Sequence, residues 1–395
     1  MSADISNESL KKTNKFSILL LMTTGMSLKK WDEIGQLSRE LDIYENLGKR
    51  IGNIYVYTFG KNENRFVEKN SYVTICAQKT SFLWDLAIIP GKIIRIFNLF
   101  WNIHNIFIHY YFFKTLDIIK TNQFKGSILA VILKRIFKKK LVVRMGYYHG
   151  HINGVSFKRR IIERIVFSTA DKIIVTDKSA KSFLTNKYDL QPNKVCFIPN
   201  YINIERFAPT EEKRTYDILY VGRVTDIKNL HVLIKGISLI KNKKVSLLII
   251  GSGSSIKKIK KLAEFNNVDL THIPKADNFD LPRYYNMSKL VALLSPYEGN
   301  PKILLEAMAC GRPVIATDVP GINSIITHRK NGLLCQITPE SVADAIRLLW
   351  DNPKLAEQLE TNGREYITAH NSFDSLMEKE CTLYKSLMTQ RAKAL

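Results

Sequence analysis

The chain is short of cysteine and of acid, and it has no long uninterrupted apolar run. Its five cysteines, Cys76, Cys196, Cys310, Cys335 and Cys381, are odd in number and widely spaced. With no Cys-x-x-Cys pair, neither a zinc site nor a dithiol redox centre is indicated, and a reduced, cytoplasmic protein is expected. Tandem repeats and low-complexity stretches are absent, and 45% hydrophobic content over 395 residues is ample for two cores, which excludes a disordered chain. No stretch reads as a signal peptide or membrane span. The apolar run 16–22 ends at Thr23, Thr24 and Gly25, so it reads as a buried strand. Residues 93–113 are interrupted by Arg95, Asn98, Asn102, His104, Asn105 and His109, a cost that a bilayer helix absorbs poorly. They read as one or two amphipathic helices, in the core or partly on a membrane surface.

The acid deficit is lopsided. Against 59 Lys+Arg stand 36 Asp+Glu, a net +23; residues 1–200 hold 32 against 15, and the remainder 27 against 21. Lys134, Arg135, Lys138, Lys139 and Lys140 form one cluster, and Lys158, Arg159 and Arg160 another. Such a field attracts polyanions, either nucleic acid or the anionic cytoplasmic face of a membrane. A merely solvated basic face is the plain alternative. No zinc, RNP-like or aromatic–basic interleaved motif supports nucleic acid, so the expected partner is an anionic membrane, with the protein peripheral on its cytoplasmic side.

Apolar strand-like runs alternate with helical periodicity, the pattern of a parallel sheet with helices on its faces. Strands are expected at 16–22, 54–59, 72–76, 116–120, 141–144, 172–176 and 194–198, then at 218–221, 245–250, 269–273, 290–294 and 313–317. Helical faces are read from Ile34, Leu37, Leu41, Tyr44 and Ile51, and from Ile161, Ile162, Ile165 and Val166. The proline-bracketed segment 199–209 breaks the series into two α/β domains, 1–198 and 210–371. Residues 372–395 read as a terminal helix able to cap the second domain or pack back on the first. Ligands of open α/β sheets bind at the carboxyl ends of strands, which puts the working site in the cleft between the domains.

Three motifs fall at such strand ends. Pro301 suits the first turn of a helix and Gly311 its stop, so Glu298 falls in the preceding loop and Glu306 within the helix, two carboxylates facing the cleft from different heights. Loop amides at Gly299 and Asn300 join the positive end of the helix dipole. Gly222 and Arg223, followed by Lys228, come after the first strand of the second domain, where Arg offers a fork and Lys a point charge to phosphate oxygens. By itself that pair is also what a surface helix start looks like. Gly251-Ser252-Gly253 permits close approach of a ligand, though the full Gly-x-Gly-x-x-Gly fingerprint is absent.

Taken in order, Gly222-Arg223 with Lys228, Ile198-Pro199-Asn200 with Phe207 and Pro209, Gly251-Ser252-Gly253, Asp280-Leu281-Pro282-Arg283-Tyr284-Tyr285, and Glu298 and Glu306 running into Gly311-Arg312-Pro313-Val314-Ile315-Ala316-Thr317 resemble the retaining glycosyltransferases of family 4 (group 1). The match is strong over 198–370 and weaker before it. The resemblance implies a GT-B fold of two Rossmann-like domains, the first for the acceptor and the second for the donor. It implies a UDP- or GDP-sugar donor, a glycan or lipid-linked acceptor of polysaccharide or cell-envelope synthesis, and neither cofactor nor metal. Arg223 and Lys228 would hold the donor diphosphate, Glu306 the ribose hydroxyls and Glu298 a sugar hydroxyl. Catalysis would fall to Glu298, Arg223 and Lys228. Gly25, Gly222, Gly251, Gly299, Asn300 and Pro301 would complete the donor site, with the backbone at Ile273 beside the base.

Two departures stand out. The linker reads Pro199-Asn200-Tyr201-Ile202-Asn203 where the family has Pro-Asn-Gly-x-Asp. The acceptor-facing histidine that many members place after the fifth strand has no single heir, Tyr147 and His149 being the candidates. A sugar-nucleotide epimerase, a phosphorylase and a basic nucleic-acid binder remain the competing readings.

Overall fold

The computed structural model describes residues 16–60, 63–68, 71–77, 108–146, 156–241 and 244–392. Tyr147 and His149, and most of the run 93–113, lie outside them. Each half of the chain builds a parallel sheet, because its strands are apolar runs that need cover on both faces. The first sheet comprises β1 Ile18–Leu21, β2 Ile54–Thr58, β3 Val73–Ala77, β4 Ile118–Thr121, β5 Lys140–Met145, β6 Lys172–Val175 and β7 Val195–Phe197. The second comprises β8 Tyr216–Val221, β9 Ser246–Ile250, β10 Asp269–Ile273, β11 Ser288–Leu293, β12 Val314–Thr317 and β13 Leu333–Cys335.

Strand order is β3-β2-β1-β4-β5-β6-β7 in one sheet and β10-β9-β8-β11-β12-β13 in the other, parallel throughout. Both wind outward in two directions from a central first strand, so each has a crevice where the order reverses, between β1 and β4 and between β8 and β11. These are two Rossmann-like α/β domains, as expected. The sequence reading misses only β13, a three-residue strand at the sheet edge.

Helices Tyr110–Thr115, Ser127–Phe137, Phe157–Thr169 and Lys178–Tyr188 cover one face of the first sheet. Helix Leu37–Ile51 covers the other, together with the C-terminal helix Phe373–Ala392, which supplies Leu376, Met377, Tyr384 and Leu387 to that core. Each such buried side chain contributes about 1.5–3 kcal/mol. The chain thus crosses between domains twice, and the crossings lie side by side. Ile202 bridges to Ser372, Ile202 N–H donates to the Asn371 carbonyl at 2.8 Å, and Phe373 N–H donates to that of Ile202 at 2.9 Å.

Two expected helical faces are corrected. Ile34 caps the short helix Leu28–Glu33 and is 52% exposed, so the stripe of Leu37–Ile51 is carried by Ile43, Tyr44, Leu47 and Ile51. In Phe157–Thr169 the apolar residues exceed what one sheet face can cover. Val166 and Phe167 turn in, whereas Ile161 and Ile165 turn out, 46% and 44% exposed.

Candidate active site

β8 ends at Val221, and the chain turns at Gly222 with φ +143°, donating its N–H to the Ile250 carbonyl at 2.9 Å. Across from it Gly251 has φ +135°, and a Cβ there would lie 2.0 Å from the Gly222 carbonyl oxygen. The loops after β8 and β9 are pressed backbone to backbone, which leaves both positions to glycine. Arg223 emerges exposed from this turn, its carbonyl held by the Tyr220 hydroxyl at 2.8 Å. Lys228, in the next turn, donates to Ser295 Oγ at 3.0 Å and to Glu298 Oε1 at 2.5 Å. Asn229, at φ +51°, reaches the Leu294 carbonyl at 2.9 Å. The loops after β8 and β11 are therefore stitched together at the crevice of the second sheet. Lys228 and Glu298 are brought together there, with Ser295 and Asn229, which sequence reasoning did not single out, tying the two loops, and Arg223 stands exposed on the turn just before.

The motif helix forms as its ends dictate. Pro301 caps Lys302–Ala309, and Gly311 at φ +63° closes it, with Gly311 N–H to the Met308 carbonyl at 3.0 Å and Arg312 N–H to that of Ala307 at 2.9 Å. Glu306 lies on its buried side, 2% exposed. Its carboxylate accepts from the Tyr285 hydroxyl at 2.8 Å and Asn278 Nδ2 at 3.4 Å, with Arg39 of the first domain 4.0 Å away. Burial pushes the Glu306 carboxyl up, against the pull of Arg39 and the Tyr285 hydrogen bond. Asn300 turns to the linker, its Oδ1 accepting from Asn200 N–H at 2.9 Å and its carbonyl from Asn200 Nδ2 at 2.6 Å. Gly299 and Pro301 are buried, and the Ile273 carbonyl is taken by Gly251 N–H at 2.8 Å. Gly321 packs so tightly on this loop that a Cβ would sit 1.8 Å from the Glu298 carbonyl. Gly25, exposed at φ +80°, lies in the loop after β1.

Between the domains is a cavity of about 530 Å³ lined by Arg39, Lys120 and Arg144 from the first domain and Arg223 and Lys302 from the second, with Glu40 among them. Glu40 accepts from Lys302 Nζ at 3.3 Å and from Arg39 at 3.0 Å, an ion-pair latch across the cleft. Burial would raise the Glu40 carboxyl, but Lys302 and Arg39 overcome it and hold it at about 2. Burial and the Arg39 charge bring Lys302 down to about 8, with Glu40 opposing. Behind the cavity, buried Lys120 pairs with Glu380 of the C-terminal helix, Tyr384 donates to the same oxygen at 2.5 Å, and Arg144 stands 3.6 Å from the other. The pairs Lys302–Glu40, Lys120–Glu380 and Arg144–Glu380 join residues far apart in the chain, so nothing in the motifs pointed to them. Among the described residues, no three His, Cys, Asp or Glu side chains gather as a metal would require, and no helix is long and apolar enough to cross a membrane.

Two doubly wound sheets about a cleft that gathers cations at a strand-order reversal make the GT-B architecture of nucleotide-sugar transferases. The fold matches a sucrose-phosphate synthase of Thermosynechococcus elongatus with a TM-score of 0.78 at 20% identity, over 95% of this chain and 100% of that one. It matches Anabaena HepE, solved in complex with UDP-glucose, with a TM-score of 0.73 at 15% identity, over 94% and 99%. Residues 202–366 match the glycosyl transferases group 1, and residues 41–206 match Glycosyltransferase Family 4. The chain belongs to this family of glycosyltransferases. A poly(ribitol-phosphate) alpha-N-acetylglucosaminyltransferase of Staphylococcus aureus is 28% identical over 252 residues, 62% of this chain and 50% of that protein. The chain spans 50–62% of the length of such curated relatives.

Proposed function

We propose that the protein transfers a sugar from a nucleotide-diphosphate donor, with retention of anomeric configuration and without a divalent ion, to a glycan or lipid-linked acceptor. The observation that carries this reading is Lys228 held against Glu298 at the crevice of the second sheet, with Arg223 exposed on the adjoining turn. A diphosphate laid at that crevice meets two cations, and a sugar attached to it comes beside a carboxylate. HepE was captured with UDP-glucose, which supports a uridine donor. The Staphylococcus relative modifies poly(ribitol phosphate), which supports an anionic cell-envelope acceptor for the basic first domain.

Glu298 holds a sugar hydroxyl as the ring becomes oxocarbenium-like. The acceptor oxygen bonds to the anomeric carbon on the face that the diphosphate leaves. The carbon–oxygen bond to phosphate breaks, and the acceptor proton passes to the leaving phosphate oxygen. Arg223 and Lys228 take up the growing negative charge. Glu306 is the proposed ribose contact, and Arg39 withdraws from it when the ribose enters.

A thermal-shift screen of nucleoside diphosphates and sugar nucleotides tests donor class, because a ligand of the native state raises its stability by mass action. Donor consumed without acceptor would indicate an epimerase, and a requirement for orthophosphate a phosphorylase. NMR of the product reads the anomeric centre, and an inverted one overturns the retaining route. Loss of turnover in EDTA, restored by magnesium, would overturn metal independence.

A further inference from the structure

The helical face of the first domain, on the side of the sheet opposite Leu37–Ile51, has a composition the transfer reaction does not explain. Helices Tyr110–Thr115, Ser127–Phe137 and Phe157–Thr169 lie over the same sheet face, and Phe113, Val131 and Phe167 on their inner sides share one buried cluster. Tyr110 and Phe113 both pack on Phe137, with ring centroids 5.3 and 5.6 Å apart. On their outer sides Tyr111, Ile128, Ile136, Phe157, Ile161 and Ile165 are exposed, Tyr111 by 82% and Phe157 by 75%. Lys114, Arg135, Lys138, Lys158, Arg160 and Arg164 are exposed among them. The single acid on these helices, Glu163, is fully buried and bonded to Arg159 and Tyr188.

We propose that this face docks the first domain on an anionic lipid bilayer. Large apolar side chains and cations mixed on these three helices, which carry no exposed acid, suit an interface that offers acyl chains and negative headgroups together. A second copy of the chain would set cation against cation. Nucleic acid would answer the charges but leave the isoleucines and Phe157 in water. Each Lys or Arg brought to an anionic leaflet strengthens binding roughly fivefold, within a Debye length. The apolar tips enter the headgroup layer and make part of the binding insensitive to salt. The docking stands whether or not the cleft transfers sugar.

Flotation of the full-length protein with phosphatidylcholine vesicles, with and without phosphatidylglycerol, at low and high salt, tests it. The wild type is expected to float at least tenfold more with anionic vesicles and to retain part of that binding in high salt. Lys158→Glu/Arg160→Glu/Arg164→Glu loses at least tenfold at low salt. Phe157→Ser/Ile161→Ser/Ile165→Ser loses severalfold, and its residual binding vanishes in high salt. Should either triple variant lose its cooperative melt, Arg160→Glu and Ile161→Ser carry the same comparison. Equal recovery on neutral and anionic vesicles overturns the proposal, as does wild-type binding by both variants. So does light scattering that shows a dimer dissociated by the apolar variant, or DNA binding lost with the charges, in the absence of vesicle binding.

Discussion

Lys228 and Glu298, 70 residues apart in the chain, meet through a 2.5 Å hydrogen bond from Nζ to Oε1, each less than one-fifth exposed. The cation proposed for the diphosphate and the carboxylate proposed for the sugar are one unit in the resting protein. Donor binding is expected to exchange Glu298 for phosphate at Lys228.

That exchange makes the two residues separable by kinetics. Glu298→Gln is expected to leave UDP affinity at or above wild type, because Lys228 keeps its phosphate and loses only a competitor, while kcat falls. Lys228→Ala and Arg223→Ala should each weaken transfer by about 1.5–3 kcal/mol, the range for hydrogen bonds to a charged group. Calorimetry of UDP binding beside single-turnover rates distinguishes them. Wild-type turnover by Glu298→Gln removes the carboxylate from the reaction.

The Glu40–Lys302 latch has an acid and an alkaline consequence. Glu40 sits at about 2 in the folded protein against an ordinary 4.5, so its contribution to stability is present above pH 4.5 and is lost as pH falls toward 2. Lys302 sits at about 8 against 10.5, so its burial costs stability below pH 8 and the cost is relieved between pH 8 and 10.5. Denaturant melts should show a shallower acid slope in Glu40→Gln, by about one proton. Donor affinity should fall above pH 8 in the wild type, as the cleft loses a cation, and not in Lys302→Arg. Identical pH profiles for the three proteins would refute the latch.

Buried Lys120 has Glu380 as its carboxylate partner, and Glu380 is held at about 2, against its burial, by Lys120 and Arg144. Glu380→Ala is expected to destabilise the first domain by about 3–5 kcal/mol, since an uncompensated charge stays buried. The double change Lys120→Met/Glu380→Leu should recover part of that, since Arg144 still loses its carboxylate. Urea denaturation followed by tryptophan fluorescence measures both.

Two glycines are expected to tolerate no side chain. In Gly251→Ala the Cβ meets the Gly222 carbonyl at 2.0 Å, and in Gly321→Ala it meets that of Glu298 at 1.8 Å. Overpacking of this kind costs about 1–3 kcal/mol. Activity should fall further than stability does, because the loops displaced carry Arg223 and Glu298. Thermal melts beside donor turnover read the difference.

The twelve expected strands were legible because parallel strands, covered on both faces, keep an unbroken apolar signature. Pro301 and Gly311 revealed the motif helix for local reasons of the same kind. What stayed hidden depends on contacts made at a distance: Arg39 and Glu40 look like any charged helix start until Lys302 arrives from 262 residues away. The outward turn of Ile161 and Ile165 was hidden too, because periodicity reports which side chains are apolar and not which the sheet has room to cover. The terminal helix read correctly as a helix, but only the placement of Met377 and Glu380 against β4 tells whose helix it is.

The last helix also sets the order in which the protein is made. The first sheet leaves the ribosome with β7, yet Leu376, Met377, Tyr384 and Leu387 complete the core beneath it, and Glu380 neutralises Lys120 within it. At about 5–20 residues per second these arrive roughly 10–40 s later, after the whole second domain has emerged. The domain begun first is finished last. Through that interval its nascent form exposes an apolar sheet face only partly covered by Leu37–Ile51 and an unpaired lysine, a natural substrate for chaperones.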